Sequence, residues 1–94
     1  MTKLTDAEVT KRLSSIPGWT LANGKLHRDF KFENFVQAFS FMTSVALVAE
    51  KADHHPEWFN VYNQVKVDLA THDAGGITDN DFALAEAMSK LASR

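Results

Sequence analysis

Two tight turns, each set between runs of alternating residues, constrain this chain more than any other feature. Asn23-Gly24 is the stronger turn, because both residue types tolerate positive φ. Trp19-Thr20-Leu21 reads as extended before it, and Lys25 to Phe32 alternates after it. Leu26, Phe30 and Phe32 share one face, while Lys25, His27, Asp29 and Lys31 take the other. Arg28 is the one polar residue on the apolar side. The second pair repeats the pattern. Trp58 to Tyr62 reads as a strand and Asn63-Gln64 as a short turn. Val65, Val67, Leu69 and Thr71 then alternate with Lys66, Asp68, Ala70 and His72. Strands joined by so few residues must be antiparallel.

Helical signals fill the remaining chain. Thr5 and Glu8 form a capping box with Leu4 and Val9 as its staple, which predicts a helix from about Asp6 to Ser14. Pro17-Gly18 ends any continuation. Asn34 can cap a helix from about Phe35 to Lys51, with Phe35, Phe39, Met42, Ala46 and Ala49 as a stripe. Val36, Phe41, Val45, Leu47 and Val48 widen that surface until the helix is apolar nearly all round. Such a helix is either central to the core or buried against a second subunit. Thr78 and Asp81 form another box-like cap, stapled by Ile77 and Phe82, for a last helix reaching about Ala92. Asp73-Ala74-Gly75-Gly76 reads as a flexible connection. The expected architecture is α+β: a four-stranded antiparallel sheet with three helices on one face, in the order αββαββα. Residues 1–94 read as a single domain.

Composition narrows the functional classes. At 94 residues with 45% hydrophobic and 23% charged content, the chain is ordinary globular material. A fold this small has a modest core and often gains stability by association, so a dimer or tetramer is expected. The net charge of -2 and the lack of basic blocks argue against nucleic acid. There is no cysteine, which removes disulfides, thiolate metal sites and cysteine nucleophiles. The start of the chain lacks an apolar signal core, and polar residues interrupt the longest apolar stretch. The expectation is a cytoplasmic protein with no membrane contact.

Three of the four histidines, His54, His55 and His72, fall between residues 54 and 72. Imidazole gives and takes protons near neutral pH. His54 and His55 precede one strand and His72 ends its antiparallel partner, so all three should meet at one end of the sheet. Glu50 and Asp81 lie near that end and could orient the rings. Zinc binding by the three imidazoles is disfavoured, because adjacent residues of an extended segment point opposite ways. His27, on the polar strand face, is expected to be merely solvated.

The spacing forms a longer pattern. Three residues separate Glu50 from His54-His55-Pro56; Trp58 and Tyr62 follow; nine residues separate Tyr62 from His72, and eight separate His72 from Asp81. The segment from Glu50 to Tyr62, together with Thr71-His72 and the Gly-Gly-Ile-Thr leading to Asp81, resembles the pterin-4a-carbinolamine dehydratase family. That resemblance implies loss of water from a 4a-hydroxytetrahydropterin to give the quinonoid dihydropterin, within recycling of a tetrahydrobiopterin-type cofactor. It implies His54, His55 and His72 as the catalytic set, with His55 the more suited to contacting substrate. Glu50 and Asp81 resemble the supporting carboxylates, and Trp58 lies where an aromatic edge could bound the flat pterin. No cofactor and no metal are implied. Vertebrate members also partner a homeodomain transcription factor through the apolar helix, which gives a rival reading as a binding module. Bland roles stay open: Asp81 as a helix cap, Glu50 as a solvated helix end, Trp58 and Tyr62 as sheet aromatics, Asp53 and Glu57 as loop charges.

Overall fold

A computed structural model describes residues 1–94. Its elements are α1 (Asp6–Arg12), β1 (Thr20–Ala22), β2 (Lys25–Lys31), α2 (Phe35–Ala52), β3 (Glu57–Val61), β4 (Gln64–Leu69) and α3 (Asp79–Ala92), with 3-10 turns at Leu13–Ser15 and His72–Ala74. The four strands form one antiparallel sheet in the order β1-β2-β4-β3. The expected α+β architecture is therefore the observed one.

Both capping boxes form as their residues dictate. Thr5 Oγ1 accepts from the Glu8 N–H while Glu8 Oε1 accepts from the Thr5 N–H. At α3 the Thr78 hydroxyl and the Asp81 carboxylate cap each other's backbone in the same way. Asn23 and Gly24 both take positive φ, as the hairpin requires.

The core lies between the sheet and the helices. Leu26 and Phe30 of β2, Val65, Val67 and Leu69 of β4, Ala38, Phe41 and Val45 of α2, and Phe82, Ala85 and Met88 of α3 are buried in it. Arg28, the odd polar residue on the inner strand face, is accommodated at the rim. Its guanidinium lies 4.4 Å from the Phe30 ring centroid and donates to Ser89 Oγ, which also accepts from the Trp19 indole. Gly18, at φ +91°, leaves room for that group, since a Cβ there would sit 3.0 Å from Arg28 Cζ.

Four details differ from the sequence expectation. The first helix gives way to a 3-10 turn after Arg12, before the expected end at Ser14. The second turn is Tyr62-Asn63, one residue earlier than expected, because Val61 pairs with Gln64; Tyr62 carries the left-handed φ of +52°. The buried stripe of α2 is Ala38, Phe41, Val45 and Ala49, whereas Phe35 and Phe39 are about half exposed and Ala46 is exposed. A helix apolar on every side gives no clear signal of which stripe meets the sheet, and small residues let it approach closely. Finally, β4 ends at Leu69. Thr71 makes only an isolated bridge to Gly76, so the Asp73–Gly76 segment is a closed, hydrogen-bonded loop.

Candidate active site

The end of α2 sets the direction of the first two histidines. Asp53 takes a left-handed conformation at φ +51°, and the N–H groups of Asp53 and His54 close on the carbonyls of Glu50 and Ala49. The chain thus leaves the helix abruptly at His54. Pro56 keeps His55 out of the helical region and directs the chain into β3. Across the sheet end, Thr71 and Gly76 pinch a loop whose 3-10 turn begins at His72, with Gly75 at φ +76° closing it. His72 therefore sits in a turn beyond β4 and not on the strand itself, as its alternation with Thr71 had suggested. Register places Glu57, the first residue of β3, opposite Asp68 near the end of β4, so the two segments meet.

A cleft of about 490 Å³ lies between them. Its lining includes His54, His55 and Asp53 from one segment, Ala70, Thr71, His72 and Asp73 from the other, and Asn80 from α3. That volume suits a small organic ligand. All three histidines expected to converge do line it. Asp81, Glu50 and Trp58 do not. Trp58 lies on the helix-facing side of β3, half-buried and packed against the core. Tyr62, at the far end of β3, is exposed.

Each histidine is gripped by one carboxylate through the same ring atom. His54 Nε2 lies 2.6 Å from Asp81 Oδ1, His55 Nε2 lies 2.9 Å from Glu50 Oε1, and His72 Nε2 lies 3.1 Å from Glu57 Oε2. A carboxylate only accepts, so each pairing puts a ring proton on Nε2 and leaves Nδ1 without a partner in the chain. The three grips differ in burial. Asp81 is wholly buried; its Oδ2 accepts from the Thr78 N–H and the Thr71 hydroxyl, both at 2.9 Å. It thus caps α3 and anchors His54 at once, uniting two roles that the sequence left open. The Glu50 and Glu57 pairs are exposed.

Glu57 is the residue that sequence reasoning undervalued as a loop charge. Its second oxygen lies 2.6 Å from Lys25 Nζ. The Lys25 hydrogen bond, then that of His72, holds the Glu57 carboxyl below its ordinary value, and Glu57 in turn raises Lys25. Lys25 was already assigned to the polar strand face; only the long-range register brings it to Glu57. His27, expected to be solvated, is bracketed by Asp68 at 2.8 Å and Asp29 at 3.0 Å, and the Asp68 hydrogen bond raises its pKa. No group of three or more His, Cys, Asp or Glu side chains is placed to hold a metal ion, and no helix is long and apolar enough to cross a membrane.

Comparison with known proteins gives this geometry a context. The family model described as pterin 4 alpha carbinolamine dehydratase matches residues 2–91. A relative from Solibacter usitatus, whose name places it among the pterin-4-alpha-carbinolamine dehydratases, is 55% identical over 92 residues, covering 98% of this chain and 97% of its own length. A relative of the same name from Rhizobium rhizogenes is 54% identical over 94 residues, covering 98% and 93%. Among solved structures, a protein from Brucella melitensis described as a transcriptional coactivator/pterin dehydratase superposes with a TM-score of 0.93 at 46% identity, covering 97% of this chain and 99% of that one. The chain belongs to the pterin 4 alpha carbinolamine dehydratase family.

Proposed function

We propose that this protein dehydrates a 4a-hydroxytetrahydropterin by histidine acid/base catalysis. The observation that carries the reading is the cleft lined by three imidazoles, each fixed through Nε2 by its own carboxylate. The chemistry requires two proton transfers. One positioned group protonates the hydroxyl at C4a, so that the C4a–O bond breaks and water departs. Another accepts the N5 proton, and the electron pair of that bond forms the C4a=N5 double bond of the quinonoid dihydropterin. Atoms balance with loss of one water: the C4a–O pair departs with the oxygen, the N5–H pair stays in the ring, and no oxidant or reductant is needed. His54 and His72 are the two acid/base groups, and His55, beside His54, contacts the substrate. Asp81 supports His54 as Glu50 supports His55. Trp58 stiffens the start of β3 from the core side. Positioned acids and bases typically contribute roughly 10²–10⁴-fold in rate.

The product suits reductive recycling of a tetrahydrobiopterin-type cofactor, and we place the activity in the cytoplasm. We also propose that the protein self-associates through α2. Phe35, Val36, Phe39, Leu47 and Val48 are exposed on that helix, Val36 and Leu47 by 71% and 72%. That is more uncovered apolar surface on one helix than scattered surface residues explain. The same face is where a protein partner such as a transcription factor would bind, and the Brucella protein's description as a coactivator keeps that second reading in view.

The test is the absorbance change of chemically prepared 4a-hydroxytetrahydropterin. Wild-type protein is expected to accelerate dehydration, and His54→Ala and His72→Ala to lose most of the acceleration. If all three match the rate in buffer, the dehydratase reading fails.

A further inference from the structure

We infer that Glu57, clamped by Lys25, is the residue that positions His72. His72 needs such a device more than its neighbours do. Its side chain is 80% exposed, against 11% for His54, and it stands on a three-residue turn. A free imidazole there would sample several rotamers and both tautomers. Its one hydrogen bond within the chain is to Glu57 Oε2, and Lys25 Nζ holds the other oxygen of that carboxylate.

The clamp is built from separate parts of the sheet. Glu57 opens β3 and Lys25 opens β2, with β4 between them, so the carboxylate is referenced to three hydrogen-bonded strands. The cleft lining includes His72 but neither Glu57 nor Lys25. Lys25 and His72 instead share a second hollow of about 370 Å³ beside the Asn23-Gly24 turn. The carboxylate thus holds Nε2 while lying outside the cleft's lining, and Nδ1 is left without a partner in the chain. Glu57 acts through His72 and touches no substrate, which makes it a positioning residue. The Lys25 hydrogen bond, then that of His72, holds the Glu57 carboxyl below its ordinary value and so favours the ionised acceptor. Exposed ion pairs contribute little to stability, so the worth of this one lies in orientation.

The inference rests on the dehydratase reading for its kinetic arm alone. With ¹⁵N-histidine-labelled protein at alkaline pH, the wild-type His72 ring nitrogens are expected to show one tautomer, protonated at Nε2. Glu57→Ala is expected to show a mixture. In kinetics, Glu57→Ala is expected to lower kcat about tenfold with KM within about twofold, Lys25→Met to cause a smaller loss, and Glu57→Ala to cause no further loss in a His72→Ala background. Unchanged His72 ring signals in Glu57→Ala overturn the inference, as does an equal fractional loss in the His72→Ala background. If wild-type protein dehydrates no faster than buffer, the dehydratase reading falls, and the ring-nitrogen spectra alone decide the role of Glu57.

Discussion

Replacing Asp81 by asparagine separates the two jobs of one buried side chain. The carboxylate is wholly buried and accepts three hydrogen bonds: from Thr78 N–H and Thr71 Oγ1 through Oδ2, and from His54 Nε2 through Oδ1. The amide oxygen of asparagine can keep the Thr78 and Thr71 bonds, so the α3 cap survives. Its amide nitrogen then faces His54 Nε2. Two donors cannot bond, so the ring must move its proton to Nδ1, which has no partner within the chain. The stability cost is the loss of charge assistance in these bonds, about 1–2 kcal/mol in all. For a domain of this size that is a fall in Tm of about 5–15 °C. It leaves the protein folded at assay temperature, given typical stabilities of about 5–15 kcal/mol. Asp81→Ala, by contrast, strands three donors and costs about 3–5 kcal/mol. In the dehydration assay, Asp81→Asn is expected to lose on the order of 10²-fold or more, with circular dichroism unchanged. If the folded variant keeps activity within about threefold of wild type, the argument that Asp81 sets the His54 tautomer is refuted.

Other outcomes follow from single features. Leu26 is fully buried between sheet and helices, so Leu26→Ala is expected to cost about 2–5 kcal/mol in urea unfolding; a loss below about 1 kcal/mol contradicts the assigned core. His27 has its pKa raised above 6.5, chiefly by Asp68, so its stabilisation is fully present below pH 6.5 and lost as pH rises through the elevated value. The stability gap between wild type and His27→Gln should therefore be largest just below pH 6.5 and close in alkali; a gap that widens in alkali reverses the sign. Phe39 is 53% exposed on α2, and Phe39→Glu is expected to lower the mass seen by sedimentation equilibrium. An unchanged mass clears that helix of self-association.

The local elements were legible because their signals are local. Capping residues three apart at Thr5–Glu8 and Thr78–Asp81, the Asn23-Gly24 turn, and alternation along β2 and β4 each specify nearby backbone. The convergence of His54, His55 and His72 was legible as well, because an antiparallel pair must bring one strand's start beside the other's end. What failed depended on competition or distance. Alternation ran past Leu69 to His72, yet a Thr71–Gly76 bridge diverted the chain into a turn. The α2 stripe was misplaced because its outer face is as apolar as its inner one. Trp58 looked available to a flat ligand, but register sets it opposite Val67 on the inner face. The Lys25–Glu57–His72 chain spans 32 and 15 residues of sequence and exists only once β4 has inserted between β2 and β3.

The convergence of three imidazoles on one ligand is tested most directly by titrating an unreactive pterin into ¹⁵N-histidine-labelled protein. The account predicts that ring-nitrogen signals of His54, His55 and His72 shift together along one saturable curve, with His27 nearly still. Movement confined to a single histidine, or separate curves for His54 and His72, would mean that the rings do not serve a common site.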